Sequence, residues 1–394
     1  MPSSHQSKSL SNILSLADFE VLAKKRLPTP LFEYVSGGCE DGQSVKANRQ
    51  SFTEYEFRTQ VLIDISKRSQ HITLFDKQYA SPFGIAPMGI TALTSYRGDL
   101  VLAKAAQDAS IPAIMSGSSL IKMEEVASAA PDTWFQAYLP GKVEEIEPLI
   151  DRVKAAGFKN LVITVDVACP SNRENNIRAG FSTPLRPNLR LAWEGISHPR
   201  WFYGVLLKTL VHHGMPHFEN NYARRGTPII SKNVIRDFSD RGHLTWEHIQ
   251  LIRKRWNGPM ILKGILNPVD AQKAMQTGID GVIVSNHGGR QLDGSVSPLR
   301  VLPQIVDVFK NGPVMLDGGV YRGTDLLKAM ALGASCVFIG RPFNYAASVG
   351  GQEGVTHAIK LIQKEVSRGM AYLGIKSLDE IDTSCLIDVA RRKY

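Results

Sequence analysis

The residues best suited to chemistry lie in one ten-residue stretch, 285–294, which reads Ser-Asn-His-Gly-Gly-Arg-Gln-Leu-Asp-Gly. The stretch directly follows the apolar run 281–284, which is typical of a buried strand. His287 supplies a base and Arg290 a permanent cation three residues later, a combination that suits an anionic substrate that must lose a proton. The two glycines between them allow a sharp turn and a close approach of a flat ligand. Taken alone, the stretch also fits a plain strand followed by a polar turn.

The elements that would position these residues alternate regularly from about residue 81. Short β-rich apolar runs occur at Phe83–Pro87, Pro112–Ser116, Trp134–Tyr138, Leu161–Asp166, Met260–Gly264, Val282–Asn286, Val314–Gly319 and Cys336–Gly340. Helical patterns occur at Leu100–Ala109, Met123–Ala129, Val143–Ala156, Trp246–Trp256, Pro268–Thr277, Leu299–Phe309, Thr324–Leu332 and Val355–Leu373. Eight strands alternating with helices predict an α/β protein with a parallel sheet, and eight strands close a (β/α)8 TIM barrel. The alternative is an open doubly wound sheet, but no G-x-G-x-x-G follows the first strand.

The chain outside this alternation divides into three parts. Helices are predicted at Asp18–Arg26 and Leu31–Gly38, so we expect residues 1–80 to form an N-terminal helical and extended segment that covers the barrel. Residues 81–380 form the predicted barrel, and 381–394 a C-terminal tail. The strand spacing breaks once, after the fourth strand, which predicts a long insertion at about 180–243.

Many polar residues lie at the predicted strand ends, where a barrel builds its active site. Gln136 and Tyr138 form one i, i+2 pair and Thr164 and Asp166 form another, so each pair points to one side of its strand. Leaving such groups buried and unpaired would cost about 1–3 kcal/mol each. The residues at or just after the ends of the first six strands are Pro87, Met88, Gly89, Ser116, Gln136, Tyr138, Thr164, Asp166, Lys263 and Ser285. They predict a ligand across the barrel mouth.

The last two predicted strands end in Asp317-Gly318-Gly319 and Gly340-Arg341. Barrels often bind a phosphate in the loops after these strands, through glycine N–H groups and a helix N-terminus. A phosphate-binding site at these two strand ends and Lys263 at the end of another strand together predict a phosphorylated cofactor that lies across the barrel mouth.

Composition restricts the partners without choosing one. The 394 residues include 46 Lys or Arg and 37 Asp or Glu, a net charge of +9, which favours anionic partners. No signal peptide and no apolar run of spanning length is visible, and the four cysteines have neither metal-site nor disulfide spacing. We therefore expect a cytoplasmic protein with reduced thiols and no metal, in which Cys169 is a buried packing residue.

The predicted insertion carries much of the positive charge. Residues 186–243 contain nine Lys or Arg and four Asp or Glu, a net charge of +5, and include the apolar and aromatic run Trp201–Val211. A basic segment with such a face suits a membrane-surface contact, whereas the alternative is a lid that packs on the barrel mouth. No aromatic-interleaved basic array indicates nucleic acid.

Taken together, these motifs resemble the FMN-dependent L-2-hydroxy-acid dehydrogenase/oxidase family. The resemblance rests on Ser-Asn-His-Gly-Gly-Arg-Gln-Leu-Asp at 285–293, Leu-Lys-Gly at 262–264, Asp-Gly-Gly at 317–319 and Phe-Gln-x-Tyr at 135–138. It implies FMN in a (β/α)8 barrel and the oxidation of an L-2-hydroxy acid to a 2-oxo acid. Matched by position, the residues that would hold FMN are Pro87, Met88, Gly89, Ser116, Gln136, Thr164, Lys263, Ser285, Asp317, Gly318, Gly319, Gly340 and Arg341.

The same match assigns catalytic roles. Tyr34, Tyr138, Arg173 and Arg290 fall at substrate-binding positions, with the two arginines suited to a carboxylate. His287 matches the base that takes the hydroxyl proton as hydride passes to flavin N5; a carbanion route is the alternative. Asp166 matches the partner that orients the imidazole, and Lys263 would stabilise negative charge on the flavin.

Two departures from the family pattern concern ligand binding. The family usually has Arg directly after Asp-Gly-Gly-Val, where this chain has Tyr321 followed by Arg322, so one phosphate cation is missing or is supplied by its neighbour. Ser118 stands where the relatives that oxidise short glycolate have an aromatic residue. A small residue there leaves room for a side chain as large as the phenyl of mandelate.

The branch within the family depends on what reoxidises the flavin. Gly89 stands where many oxidases have Ala, and His-Pro-Arg-Trp at 198–201 with His-Gly-Met-Pro at 213–216 resembles the insertion of membrane-associated mandelate and lactate dehydrogenases. This favours quinone or another carrier as acceptor, with peripheral attachment to the cytoplasmic face of the membrane through 186–243. The alternatives are an O₂-using oxidase that produces H₂O₂, a non-redox FMN barrel such as an isomerase, and a flavin protein that has lost catalysis. Family members are often tetramers, so a homo-oligomer is expected.

Overall fold

The computed structural model describes residues 10–182, 189–231 and 241–389. Its N-terminal part contains the helices α1 (Leu16–Arg26), α2 (Thr29–Ser36) and α3 (Gln43–Gln50), the strand β1 (Tyr55–Phe57) and the hairpin β2 (Ile72–Leu74) and β3 (Lys77–Tyr79). Helix α1 begins at Leu16, and Asp18 in its first turn accepts hydrogen bonds from the backbone N–H groups of Leu14 and of the N-cap Ser15, which precede the helix.

Eight parallel strands then follow in chain order: β4 (Phe83–Ile85), β5 (Ile114–Ser116), β6 (Trp134–Ala137), β7 (Leu161–Thr164), β8 (Met260–Ile265), β9 (Gly281–Val284), β10 (Val314–Asp317) and β11 (Cys336–Ile339). Helices connect them: α4 (Thr91–Thr94), α5 (Gly98–Asp108), α6 (Met123–Ala129), α7 (Ile146–Ala155), α8 (Glu174–Ala179), α9 (Leu189–Ser197), α10 (Pro199–Trp201), α11 (Lys208–His213), α12 (Trp246–Arg255), α13 (Pro268–Gln276), α14 (Pro298–Val308) and α15 (Gly323–Ala331). The last helix is α16 (Arg341–Leu373).

The sheet closes on itself. Each strand pairs with its neighbour in sequence, β4 also pairs with β11, and a parallel bridge between Ile85 and Ala113 joins β4 to β5. This closure confirms the predicted TIM barrel and excludes the open doubly wound sheet. All eight predicted strands are present, but α16 begins at Arg341, well before the predicted helix at 355. A break at Gly351, whose φ is 59°, divides it.

The barrel interior is filled at the amino ends of its strands. Inward side chains such as Trp134, Ile261 and Phe338 pack with Leu74 and Tyr79 from the β2–β3 hairpin. The Trp134 indole N–H donates to the Tyr79 hydroxyl at 3.1 Å, so both polar atoms are satisfied in this dry core. The hairpin therefore closes this end, and the cavity lies at the carboxyl ends of the strands.

The two ends of the chain meet beside the barrel. The strand β12 (Leu386–Asp388) pairs antiparallel with β1, so the segment predicted as a C-terminal tail contributes a strand. Residues 1–9 and 390–394 lie outside the described residues.

The insertion after β7 is largely helical where it is described. It contains α8 to α11, with a π-helical stretch at Phe202–Leu207 between α10 and α11. The Trp201 indole donates to the carbonyl of Leu93 in α4, and Glu194 accepts from the backbone N–H of Thr29 in α2. These two hydrogen bonds attach the insertion to the barrel and to the N-terminal segment. Residues 183–188 and 232–240, which belong to the predicted basic insertion, lie outside the described ranges. Within those ranges no helix has both the length and the apolar character needed to span a bilayer.

Candidate active site

The turn after β9 has an unusual backbone. His287, Gly288 and Gly289 have φ angles of 58°, 65° and 74°, so three consecutive residues are left-handed. The backbone N–H of His287 donates to the Ser285 hydroxyl at 3.0 Å, which fixes the start of the turn. A side chain at Gly289 would meet the backbone nitrogen of Val45 in α3 at 2.7 Å, so only glycine allows the N-terminal segment to pack here. The turn thereby directs His287 into the barrel mouth.

His287 is paired with a carboxylate. Its Nδ1 lies 2.9 Å from Asp166 Oδ1, and its Nε2 lies 3.5 Å from the Tyr138 hydroxyl. Burial lowers the pKa of His287 below its usual 6.5, and Lys263 and Arg173 add to this effect, whereas Asp166 opposes it. Burial alone would raise the pKa of Asp166, but the imidazole and Lys263 hold it below its usual value. The pair therefore combines a neutral imidazole with an ionised carboxylate near neutral pH.

Two arginines lie beside this pair. Arg290 donates through Nη1 to the carbonyls of Tyr34 at 2.7 Å and Gly37 at 3.0 Å, and its guanidinium lies over the Tyr34 ring at 5.1 Å. Burial and the neighbouring Arg173 lower the pKa of Arg290 to about 9, which leaves it charged at neutral pH. Arg173 Nε donates to the Arg290 carbonyl at 3.1 Å. The site therefore holds two adjacent cations, which favours an anionic ligand.

Gln291 connects the arginines to the histidine pair. Its side-chain oxygen accepts from Arg173 Nη2 at 2.7 Å, and its side-chain nitrogen donates to the Asp166 carbonyl at 3.0 Å. No role for Gln291 was predicted from the sequence, although it lies inside the stretch 285–294. The sequence signal that could have identified Gln291 as a site residue is its polar side chain directly after Arg290.

A buried ion pair lies on the other side of the mouth. Lys263 Nζ is 2.9 Å from both Asp317 Oδ2 and the Ser285 hydroxyl. Burial works in the opposite direction, but Asp317 and Asp166 hold the pKa of Lys263 above its usual value. The ammonium group is therefore a permanent charge inside the barrel.

The predicted site residues gather around one cavity of about 1300 Å³ at the carboxyl ends of the strands. Those that line it are Tyr34, Pro87, Met88, Gly89, Tyr138, Thr164, Arg173, Lys263, His287, Arg290, Asp317, Gly318, Gly319, Gly340 and Arg341. The other four, Ser116, Gln136, Asp166 and Ser285, lie behind this wall. Ser116 donates to Gln136, while Asp166 and Ser285 contact His287 and Lys263.

The cavity wall fits a polar cofactor such as FMN. Gln136 Nε2, Thr164 Oγ1 and Asp317 Oδ1 are buried and have no hydrogen-bond partner among the described residues. Each such group costs about 1–3 kcal/mol when it stays unpaired. A flavin offers ring carbonyls, a ring N–H and ribityl hydroxyls that satisfy both donors and acceptors. The residues present therefore match the cofactor that the sequence motifs imply.

One residue that lines the cavity was predicted wrongly, and one residue that contacts the cavity wall was not predicted. The prediction that Cys169 is buried was wrong: its side chain is exposed and lines the cavity mouth, because the loop after β7 leaves the barrel core there. Arg241, at the end of the insertion, lies over the Tyr138 ring at 5.3 Å. No local pattern signals that contact, since more than 100 residues separate the partners.

Comparisons with known proteins agree with this site. The family model described as FMN-dependent dehydrogenase matches residues 23–388. An L-lactate dehydrogenase of Acinetobacter baumannii strain SDF is 36% identical over 380 residues, which cover 95% of this chain and 98% of the relative. An L-lactate dehydrogenase of Ectopseudomonas mendocina is 37% identical over 382 residues, covering 95% and 99%.

Solved structures give the same result. The crystal structure of the monotopic membrane protein (S)-mandelate dehydrogenase matches with a TM-score of 0.89 and 33% identity, covering 96% of this chain and all of the other. A mandelate oxidase variant in complex with 2-hydroxy-phenylacetamide matches with a TM-score of 0.77 and 31% identity, covering 93% and 96%. The resemblance predicted from the motifs is thereby confirmed, and the cofactor is FMN. The chain belongs to the family of FMN-dependent 2-hydroxy-acid dehydrogenases.

Proposed function

We propose that this protein oxidises an L-2-hydroxy acid of lactate or mandelate type to the 2-oxo acid, with His287 as the base, and passes the electrons to quinone or another carrier. The observation that carries the proposal is the contact between His287 Nδ1 and Asp166 Oδ1 at 2.9 Å, beside two partly buried arginines. A base next to a carboxylate-binding pair is the arrangement that a 2-hydroxy acid requires.

The proton transfer depends on the state of His287. With Asp166 accepting from Nδ1–H, the lone pair of Nε2 faces the substrate side, where the Tyr138 hydroxyl lies at 3.5 Å. Nε2 takes the hydroxyl proton of the substrate, and the ionised Asp166 stabilises the imidazolium that results. FMN, when bound, would supply the acceptor for the hydride, that is, the Cα hydrogen together with the two electrons of the broken C–H bond. Burial raises the pKa of Tyr138, so its hydroxyl stays protonated and donates to a substrate oxygen.

The carboxylate of the substrate binds to Arg173 and Arg290. Arg290 Nη1 is committed to the carbonyls of Tyr34 and Gly37, while no hydrogen bond to a described residue engages its Nη2. The fixed backbone contacts hold the guanidinium rigid, so little freedom is lost when the carboxylate binds. Tyr34, whose ring lies 5.1 Å from the Arg290 guanidinium, supplies a further hydroxyl.

FMN is held by three groups of residues in this proposal. Ser116, Gln136, Thr164 and Ser285, with the loop Pro87–Gly89, surround the flavin ring and ribityl chain. Lys263 supplies a buried positive charge that favours negative charge on the flavin. The phosphate binds to the glycines after β10 and to Gly340 and Arg341 at the start of α16, where helix N-terminal N–H groups favour an anion.

The insertion offers a surface for the membrane and for a quinone. Leu189, Trp193 and Ile196 of α9 are 91%, 68% and 68% exposed, and the exposed Tyr203 and Val211 follow. Lys208, which lies 4.1 Å over the Tyr96 ring, adds positive charge beside them. An apolar face next to cations suits an anionic bilayer. This supports peripheral attachment to a membrane, for which we propose the cytoplasmic face, with residues 186–243 as the contact segment.

The alternative function is an oxidase that uses O₂ and releases H₂O₂. It is kept because mandelate oxidase structures are among the similar proteins. The exposed apolar face of α9 favours the membrane-linked dehydrogenase, since an oxidase needs no contact with a quinone pool. A homo-oligomer, with a tetramer as the expectation, completes the proposal and is measured by light scattering on the purified protein.

The deciding experiment is an anaerobic titration of the yellow holoenzyme with L-lactate, L-mandelate and other 2-hydroxy acids. We expect the flavin absorbance to bleach with at least one of them and to return when a quinone analogue is added. A flavin that no 2-hydroxy acid bleaches would exclude the proposal and leave a non-redox or inactive flavin protein. Return of the colour with O₂ at the rate seen with quinone, together with H₂O₂, would identify the oxidase.

The membrane contact needs its own test. We expect the purified protein to float with vesicles that contain phosphatidylglycerol, and the variant Trp193→Ser/Ile196→Ser to stay at the bottom of the gradient. Leu62→Ser is the matched control, because Leu62 is a fully exposed apolar residue in the loop between β1 and β2. Equal flotation of the double variant and the control would exclude α9 as the contact.

A further inference from the structure

The phosphate end of the cavity is built against the N-terminal segment. Gly318 and Gly319 have φ angles of 105° and 78° and follow β10. A side chain at Gly319 would meet the carbonyl oxygen of Asn48 at 2.2 Å, so this glycine touches the backbone of α3. Helix α3 is therefore the outer wall of the site in which an FMN phosphate would lie.

Both arginines that the sequence offers for this phosphate already donate to protein groups, so only part of their donors can bind it. Arg341 donates to the carbonyls of Val35 at 3.0 Å and of Gly37 at 2.8 Å, so its guanidinium is fixed toward α2. Arg322 is held by Glu365 of α16 through two nitrogens, Nη2 at 2.8 Å and Nε at 3.2 Å. It therefore does not replace the cation that is missing at Tyr321.

Tyr321 itself is turned toward an acid. Its hydroxyl donates to Glu20 of α1 at 3.3 Å, and burial raises its pKa to about 12, so it is a neutral hydrogen-bonding group. Glu20 also lines this end of the cavity, and its negative charge works against a bound phosphate. A cation at this end of the cavity would offset it.

Arg49 of α3 has the required position. Its Nη1 donates to the Gly319 carbonyl at 3.1 Å and to Asp325, and its guanidinium lies 5.7 Å from the centre of the Tyr321 ring. The side chain lines the cavity, and no described residue accepts a hydrogen bond from its other two nitrogens. Lys46, one turn earlier in the same helix, lines the same wall.

Asn344 provides an independent observation in the first turn of α16. It is 2% exposed, it lines the cavity, and its Oδ1 has no hydrogen-bond partner among the described residues. Such a buried amide is destabilising unless a ligand pairs with it. Its amide nitrogen can donate to a phosphate oxygen, while its oxygen can accept from a ribityl hydroxyl.

We propose that Arg49 and Asn344 bind the phosphate end of FMN and replace the cation that is absent at Tyr321. The phosphate monoester carries nearly two negative charges at neutral pH, so one guanidinium and one amide donor discriminate it from an uncharged group. The proposal rests on FMN as the cofactor and is independent of the substrate and the electron acceptor.

The test measures how strongly the full-length holoenzyme prefers FMN over riboflavin, which lacks the phosphate. The protein is equilibrated with both flavins, and the bound flavins are separated by chromatography. We expect Arg49→Gln to lower the preference for FMN about tenfold or more, and Asn344→Leu to lower it severalfold, as the loss of a hydrogen bond to a charged group implies. Arg49→Lys keeps the charge and should restore part of the preference.

Arg322→Gln is the matched control, because it removes an arginine that Glu365 already holds at the same end. Its FMN preference should equal that of the unmodified protein. An unchanged preference in Arg49→Gln and in Asn344→Leu would overturn the proposal. So would an equal loss of both flavins, because it would give these residues a structural role only. If Arg49→Gln does not fold, Arg49→Lys and Asn344→Leu decide the question by the same ratio.

Discussion

His287 Nδ1 lies 2.9 Å from Asp166 Oδ1, and this contact decides which imidazole nitrogen can act as a base. An ionised carboxylate holds the proton on Nδ1, so the lone pair of Nε2 points to the cavity. The same carboxylate lies next to Gly264, where a side chain would approach the Asp166 Cβ and Cγ to 2.7 Å. Strand β8 therefore keeps glycine at this position so that the carboxylate can reach the histidine.

The first prediction concerns His287→Gln. Without the imidazole the base proposed to accept the substrate proton is missing, so we expect anaerobic flavin bleaching by substrate to slow by about 10²–10⁴-fold. FMN should remain bound, because the residues proposed to hold it are unchanged. Stopped-flow absorbance measures the rate, and the visible spectrum of the washed protein measures the bound flavin. A bleaching rate within a few-fold of the unmodified enzyme would contradict the role of His287.

The second prediction is the pH dependence of Asp166→Asn. The base must be neutral, so kcat/KM falls as pH drops through the pKa of His287, which burial holds below 6.5. Asp166 raises that pKa, so its loss should move the fall in kcat/KM to lower pH. The maximum should also decrease, by roughly 10²–10⁴-fold, because the imidazolium loses its partner. A pH profile of kcat/KM for both enzymes measures the two effects. A shift toward higher pH would show that Asp166 does not interact with the base as described.

The alternation of strands and helices allowed the barrel to be predicted because seven of the eight β-rich runs end in glycine or a polar residue, and the first ends in proline. The same logic located His287, Lys263 and Asp317, since carboxyl ends of parallel strands meet at one edge. It did not locate α3, whose buried face consists only of the polar residues Ser44 and Asn48 and so lacks an apolar stripe.

Contacts between distant parts of the chain also could not be predicted from the sequence. The side chains of Asn48 and Asn286 each donate a hydrogen bond of 2.7 Å to the other, which attaches α3 to the stretch 285–294. The pairing of β12 with β1 is equally non-local. Such contacts depend on tertiary packing and leave no periodic signal.

The third prediction tests the bridge made by Gln291. Its side chain joins Arg173 to the Asp166 carbonyl by hydrogen bonds of 2.7 and 3.0 Å, so it acts through these neighbours and positions them. We expect Gln291→Ala to raise KM about tenfold, the cost of roughly one lost hydrogen bond to a charged group, while kcat changes less. Steady-state kinetics separate the two constants. Gln291→Glu keeps the acceptor for Arg173 and should recover most of the substrate affinity; a loss confined to kcat would indicate a different role.

The last prediction concerns substrate size and the wall formed by Ser118. This residue is buried and lines the cavity. It packs closely against Gly89, because a side chain built at Gly89 would lie 3.1 Å from the Ser118 Cβ. A large side chain at 118 would therefore occupy the volume proposed for the substrate substituent. We expect Ser118→Trp to lower kcat/KM for L-mandelate by about 10–200-fold and to change the value for L-lactate much less. Ser118→Thr, which adds one methyl group, is the control and should change the ratio of the two substrates only slightly. Equal losses for both acids in the tryptophan variant would mean that the substituent of the substrate points elsewhere in the cavity.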